Sequence, residues 1–340
     1  MEQYEENVYK IAFSAMSQYI GAMSLKRKGV KRLKVSWLLL ILIPASIVWL
    51  LNVSRPGTEL IACPDTCAKK VDHSDEVDPI HILSLNMLHG FPNFTHLEER
   101  TSLLSAEIGR LGIDIVLLQE VPWTNEHGQI AQQLAEQHGF NYVYLRANGN
   151  RKLIGFEEGL AILSQYPLKN LSFTELRPVA GFFENRMALH ATAETPQGNI
   201  DLFVTHLTNG KASINASQTE SLLSFVQKEA QDAALVAGDF NAVADSPQIL
   251  HLTNVWQDSF HLLNPNDPGA SCCVTDLSNS PASELQVRVD YVFMVPGTRQ
   301  LLNILAIEQV FAEPFAVANG RLWLSDHAGL LATVTIEQIP

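Results

Sequence analysis

The chemistry-bearing side chains of this chain recur in one position, at the downstream ends of short apolar runs. Leu235-Val236-Ala237-Gly238 delivers Asp239 and, two residues on, Asn241. Ile115-Val116-Leu117-Leu118-Gln119 delivers Glu120, and His81-Ile82-Leu83-Ser84-Leu85 delivers Asn86. Phe203-Val204-Thr205 ends at His206, Asp290 lies within 287–294, and Ser325-Asp326-His327 precedes the last apolar run. Acids and amides are hard-cation ligands and histidines move protons. On an extended chain Asp239 and Asn241 point to the same side, because side chains alternate with period two. Polar groups at the end of a buried strand cost free energy unless they are bonded or employed. Any one of them is an ordinary turn or loop residue. Repeated at strand ends, they mark where α/β sheets gather ligands and catalytic groups.

The positioning elements alternate in kind. Strands are expected at 81–88, 113–120, 159–164 and 287–294, and a hairpin at 186–206 turning through 195–199. Helical spacing of Leu97, Leu103, Leu104, Ile108 and Leu111 predicts a helix over 96–111. A second helix and strand follow over 127–145, and a helix over 217–230 leads into the strand before Asp239. No internal repeat of fixed period is present.

The N-terminal quarter differs. Residues 1–34 form a polar leader that ends in Lys26, Arg27, Lys28, Lys31, Arg32 and Lys34. Residues 35–54 carry no charge, have Trp37 and Trp49 towards their ends, and contain Pro44. This run is expected to be a transmembrane signal anchor. The basic flank places 1–34 in the cytoplasm and the remainder outside it, at a cell surface or in a periplasm. Residues 55–79 read as a stalk, and one globular domain is expected over 80–340. Leu60-Ile61-Ala62-Cys63 has the look of a lipoprotein cleavage box, but 55–59 separate it from the apolar run.

A net charge of −13 argues against a chain-wide basic surface for gripping nucleic acid. The four cysteines fall in two close pairs without zinc-finger spacing. Cys63 and Cys67 can close a small loop. Adjacent Cys272 and Cys273 are not expected to pair with each other, which leaves bonds to the first pair or free thiols.

Taken in order, LSLNML (83–88), IVLLQEV (115–121), GLAILS (159–164), the strand around Arg186, VTHL (204–207), VAGDFNAV (236–243), RVDYVF (288–293) and SDH (325–327) resemble the endonuclease/exonuclease/phosphatase superfamily. That group includes DNase I-like nucleases, neutral sphingomyelinases and inositol polyphosphate phosphatases. The resemblance covers nearly all of 80–338 and none of 1–79. It implies a four-layer αββα sandwich of two packed mixed sheets. It implies a metal-dependent phosphodiester hydrolase with Mg²⁺, or Mn²⁺, on Glu120, Asn86 and Asp326. His327 would be the general base, oriented by Asp290. His206 would face the leaving group, oriented by Glu158. Asp239 and Asn241 would hold the water and a phosphoryl oxygen, and Arg186 would contact phosphate.

The substrate stays open between a phospholipid headgroup, which a membrane tether favours, and DNA or RNA reached by an extracytoplasmic nuclease. Phe182 and Phe183 before Arg186 suit either, by meeting lipid or by stacking a base. A catalytically silent binding module on the same fold is the remaining alternative, and it would have no need of the full set of acids and histidines. No protein partner is evident.

Overall fold

The computed structural model describes residues 33–68 and 78–339. Most of the leader and residues 69–77 lie outside the described residues. Helix α1 (Leu33–Ser54) spans the charge-free run and contains Pro44. Its side chains are described over 42–53, and no helix among the described residues is long and apolar enough to cross a membrane.

The rest of the chain builds two sheets. The larger contains β1 (Leu60–Cys63), β2 (Ile80–Asn86), β3 (Ile115–Thr124), β4 (Gly128–Gln129), β5 (Asn141–Gly149), β6 (Phe156–Ser164), β13 (Gln300–Val310) and β16 (Gly329–Gln338). Its order is β1-β5-β6-β3-β2-β16-β13, with β4 paired to β3. The smaller contains β7 (Leu168–Glu175), β8 (Met187–Thr195), β9 (Gly198–His206), β10 (Ala234–Asp239), β11 (Gln257–Asp258) and β12 (Asp290–Val295), in the order β11-β12-β10-β9-β8-β7. A separate hairpin joins β14 (Phe315–Val317) to β15 (Gly320–Leu322).

Strand alternation sorts the side chains into three cores. Ile115, Leu117 and Ile162 from one sheet meet Leu202, Val204, Leu235 and Ala237 from the other. Their neighbours Val116 and Leu118 point the opposite way, onto Leu104 and Ile108 of helix α2 (Leu97–Arg110) and Leu134 of α3 (Ile130–His138). Beyond a one-turn helix α4 (Arg151–Ile154), the outer face of the second sheet is covered by α5 (Ala212–Glu229) and α6 (Pro247–Thr253). There Phe203 and Val236 pack on Leu222, Phe225 and Leu252. The result is the expected αββα sandwich. A last short helix, α7 (Ser259–Leu263), lies in the polar loop before β12.

Three local expectations change. The domain starts before Ile80, because β1 lies within the segment read as a stalk and adds to the sheet edge, pairing Leu60 with Leu145 and Cys63 with Tyr142. Gly57 N donates to Arg146 O (2.9 Å), and Asn141 Oδ1 accepts from the Cys67 and Ala68 amides. A four-residue edge strand with no buried member leaves no alternating pattern to read. Cys63 and Cys67 are joined to each other, and so are the adjacent Cys272 and Cys273, contrary to expectation. Edge strand β13 also escapes the apolar pattern. Its register shifts between Ile304 and Ala306, and most of one face is exposed.

Two residues fix the scaffold under the polar strand ends. Gly238 has φ +147 and lies where a Cβ would collide with the Thr205 carbonyl of the neighbouring strand. Arg100, 1 % exposed, is a buried clamp. Its guanidinium donates to the carbonyls of Met87 (2.6 Å), Leu88 (2.9 Å), Thr95 (3.2 Å) and Leu324 (3.1 Å). Burial lowers its pKa to about 10 against the opposing pull of Asp326 and Glu120, so it stays charged at neutral pH. One cation thereby ties the segment after β2 to the segment before Asp326.

Gly238→Ala is expected to destabilise the protein by about 3 kcal/mol or more, since both the clash and the backbone oppose it. Arg100→Ala leaves four carbonyls without their donor and should cost about 3–5 kcal/mol. Urea unfolding midpoints check both; wild-type midpoints would contradict the packing described.

Candidate active site

The register of the smaller sheet brings three groups to one edge. In β10 Asp239 pairs with His206 of parallel β9 and with Asp290 of antiparallel β12. Across the sandwich, Asn86 ends β2 beside Gln119 of β3. The β3–β6 register shifts between Leu118 and Val121, and Glu120 within that bulge has φ +53. A bulge re-aims a side chain that regular pleating would send elsewhere.

Asp239 is the meeting point. Its Oδ2 accepts from Asn86 Nδ2 (3.2 Å), which joins the two sheets, and from Asn241 Nδ2 (3.1 Å). Its Oδ1 accepts from the Asn241 backbone amide (2.8 Å). Strand β10 ends at Asp239, and Asn241 sits at φ +49. Acid and amide therefore converge through a left-handed turn and not, as the sequence suggested, through the pleat. Burial, then the nearby Asp290 charge, raise the Asp239 pKa to about 7 against the pull of His327.

His327 Nδ1 donates to Asp290 Oδ2 (2.8 Å), while its Nε2 faces Asp239 Oδ2 at 3.8 Å. Burial opposes the charged imidazole, but Asp290, Asp326 and Asp239 together raise its pKa well above the ordinary value. Ser271 Oγ accepts from the amides of Val289 and Asp290, and Ala328 N donates to Ser271 O (2.8 Å). One serine segment thus holds both members of the pair.

His206 Nδ1 lies 3.1 Å from an Arg186 nitrogen, and its Nε2 lies 3.4 Å from Asp239 Oδ2. Nε2 also lies 3.1 Å from Asn241 Nδ2, whose two hydrogens are turned to Leu207 O (3.0 Å) and Asp239 Oδ2 (3.1 Å). Nδ1 then accepts from Arg186 and Nε2 carries the ring proton towards Asp239. Burial first, and Arg186 second, lower the His206 pKa well below its ordinary value, so the ring is neutral.

Glu158 is buried on β6, but it binds Asn148 Nδ2 (2.6 Å), while Arg186 occupies the position expected of it at His206. Burial raises its pKa, with the Glu120 charge adding to the effect against His89. Neighbouring Glu157 is turned to the Arg151 amide (3.1 Å).

Glu120 Oε1 accepts from Asn86 Nδ2 (3.4 Å), and Oε2 accepts from the His89 amide (3.2 Å) with His89 Nε2 at 3.5 Å. Burial pushes its pKa up, but His89, His206 and Arg186 overcome that and bring it to about 2. Asp326, partly exposed, is raised by burial and by Glu120. Ser325 Oγ donates to Asn86 O (2.6 Å), tying these two segments together.

Asn86, Glu120, Glu158, Arg186, His206, Asp239, Asn241, Asp290, Asp326 and His327 thus share one network of contacts and charges. Sequence reasoning missed Arg100, His89, Ser271, Ser325 and Asn215. Asn215 Nδ2 donates to Phe240 O (2.8 Å) and Thr208 O (2.7 Å), which braces the turn after Asp239. His89 adjoined a quoted motif and Ser325 lay within the quoted SDH (325–327) without a role of its own; the other three sit inside helices or loops with no signal.

The donor set suits a divalent cation. Glu120, Glu158, Asp239, Asp290 and Asp326 crowd one site, and burial alone pushes most of them towards protonation. Hard carboxylate oxygens in excess of local cations fit Mg²⁺ or Mn²⁺. Asp239, Asp290 and His327 place ligand atoms within 4.8 Å of one another. Asn86 Oδ1 also receives the Leu88 amide (3.1 Å), which orients its carbonyl.

Solved structures share this fold. A humanised D. rerio TDP2 is 19% identical with a TM-score of 0.59, covering 76% of this chain and 99% of that one. The human Nocturnin catalytic domain with bound sulfate anion is 19% identical with a TM-score of 0.57, covering 82% and 97%. The mannosyl-6-phosphatase Bt3783 of Bacteroides thetaiotaomicron is 12% identical with a TM-score of 0.58, covering 77% and 100%. No curated protein sequence matches the chain. The model of the Endonuclease/Exonuclease/phosphatase family matches residues 83–327, from the strand that carries Asn86 to the histidine that faces Asp239, and the chain belongs to that family of phosphoester-hydrolysing enzymes.

Proposed function

We propose that this protein is a metal-dependent phosphodiester hydrolase, tethered at a membrane, that acts on phospholipid headgroups. The observation that carries the reaction class is the convergence of two oppositely poised histidines on one buried carboxylate. His327 is backed by Asp290, which with Asp326 and Asp239 favours the charged imidazole, so its Nε2 takes a proton from a water only from the deprotonated form. His206 is neutral, and because Arg186 faces Nδ1 its ring proton is assigned to Nε2, which lies 3.1 Å from Asn241 Nδ2 and 3.4 Å from Asp239 Oδ2. A base on one side and a neutral donor on the other suit in-line displacement at phosphorus.

Asp239 and Asn241 orient the attacking water and a phosphoryl oxygen. Arg186 Nε is buried without a hydrogen-bond partner, so it has a donor to offer a phosphoryl oxygen. Glu120, ionised, with Asn86 and Asp326 beside it, would hold Mg²⁺, which when bound neutralises phosphoryl charge and favours the leaving oxygen.

Two features support the membrane reading. Helix α1 (Leu33–Ser54), 22 residues long, contains the whole charge-free run of 35–54. Phe182 and Phe183 are 52 % and 43 % exposed and pack edge-on against each other, three or four residues before Arg186. Two exposed aromatics this close along the chain to Arg186 are suited to the headgroup level. With the basic cluster cytoplasmic, the catalytic domain lies on the opposite side.

The test incubates the full chain with choline phospholipid vesicles and, separately, plasmid DNA, with Mg²⁺ or EDTA. Mg²⁺-dependent headgroup release with intact plasmid is expected. Nicked plasmid with untouched vesicles would make the protein a nuclease, and no hydrolysis of either, nor of a generic phosphodiester, a silent module. Glu120→Ala should lower hydrolysis roughly a thousandfold, matching several kcal/mol of lost charge stabilisation. Phe182→Ser with Phe183→Ser should slow vesicle hydrolysis about tenfold while sparing a soluble phosphodiester; equal effects on both would overturn the interfacial role.

A further inference from the structure

Beside His327 stands a sulfur pair that the reaction does not use. Cys272 is buried, and its backbone bridges both Val287, on the segment leading to Asp290, and His327 itself. Its amide donates to Val287 O (3.0 Å), and its carbonyl accepts from the Gln286 amide (3.0 Å). Cys273 is exposed, and its Sγ lies 3.8 Å from His327 Nε2. The Cys272, Cys273 and His327 ligand atoms all fall within 4.8 Å of one another. The same imidazole nitrogen therefore lies 3.8 Å from Asp239 Oδ2 and 3.8 Å from the Cys273 sulfur.

We propose that Cys272, Cys273 and His327, once the Cys272–Cys273 bond is reduced, form a site for a soft divalent cation of the Zn²⁺ type that silences the enzyme. Two thiolates and an imidazole are the donors such a cation prefers, and they do not suit Mg²⁺. Occupancy of Nε2 by the cation removes the lone pair that would accept the proton from water. The bonded sulfurs cannot act as two thiolates, so the site exists only after reduction. A dithiol reductant supplies two electrons and two protons, breaks the S–S bond, and ends as its own disulfide. Cation binding to the two sulfurs and Nε2 then releases those two protons together with the proton that the charged His327 ring carries on Nε2. Asp239 Oδ2, 3.8 Å from the same nitrogen, or a water can complete a tetrahedral set.

The inhibition half of this inference rests on the proposed role of His327; the site itself does not, so binding and activity are measured separately. Full-length protein, oxidised or reduced with dithiothreitol that is then removed, is titrated with Co²⁺ as a spectroscopic probe and with Zn²⁺ in excess Mg²⁺. Reduced protein should bind one Co²⁺ with a near-ultraviolet thiolate-to-metal band. The oxidised protein and Cys273→Ser should lack it. Zn²⁺ should suppress hydrolysis by the reduced protein, scaled to the Zn²⁺-free rate of each sample. Cys273→Ser should need roughly a hundredfold more Zn²⁺, since even outer partners of a ligand contribute ten- to a hundredfold. The same band in Cys273→Ser, no band in reduced wild type, or equal Zn²⁺ inhibition of oxidised and reduced protein would each overturn the site. A band without inhibition would keep the metal site and overturn the silencing. Should Cys273→Ser fail to fold, Cys273→Ala repeats the comparison at the same exposed sulfur.

Discussion

The molecule turns on one buried carboxylate. Asp239 is 1 % exposed at the end of a central strand, where an ionised acid is tolerated only if donors surround it. Those donors come from both sheets: Asn86 across the sandwich, and Asn241 from the turn that follows. Satisfying that one group therefore fixes how the two sheets meet at this edge. Because His206 and Asp290 occupy the same register position on either side of it, the same constraint sets the spacing of the histidines.

Regular pleating alone would scatter these side chains over both faces of each sheet. Three departures from it aim them inward. Glu120 sits in a bulge at positive φ, Asn241 takes a left-handed turn, and Gly238 permits a backbone approach that no side chain would allow. The first two cost local stability and are braced nearby: Glu120 by the His89 amide, and the turn of Asn241 by Leu207 O and by Asn215. A network assembled this way needs little reorganisation when charge develops at phosphorus, which is where electrostatic catalysis gains most.

The strands and the polar residues at their ends were legible because alternation and motif order survive in a single sequence. The helix over 96–111 was legible from its apolar spacing, and helices within 127–145 and over 217–230 were placed between strands, but α6 (Pro247–Thr253) was not anticipated. What could not be read has physical reasons. The β1 edge strand has no buried face, and β13 is broken in register. Arg100 looks like any helix-surface arginine, since only the folded chain shows four carbonyls converging on it. The partner of His206 was misjudged because Arg186 and Glu158 are distant in sequence, and only the pairing of β8 with β9 decides which one reaches the ring. Cys272 and Cys273 were judged by their adjacency alone; their position between Val287 and His327 comes from loop pairing that composition does not encode.

The crowding of acids also couples stability to the site. Burial raises Asp239 from 3.8 to about 7, so the native state holds a proton there that the unfolded chain has lost. Stability from this group is present below about 4 and declines as pH rises towards about 7, with Asp326 and Glu158 shifted in the same direction. Glu120 runs the other way, ionised down to about 2 by its cationic neighbours, and so loses its contribution only in strong acid. At neutral pH the fold is therefore under electrostatic tension at the place where the chemistry is proposed to occur. A divalent cation among these oxygens relieves the tension and draws part of its affinity from it, since whatever binds the native state alone stabilises it by mass action. Replacing Asp239, Asp326 or Glu158 with a neutral residue would relieve that tension in the apo fold while removing a reason for a cation to enter, whereas neutralising Glu120 would forfeit a favourable charge. The arrangement keeps stability low where a charged ligand must be taken up.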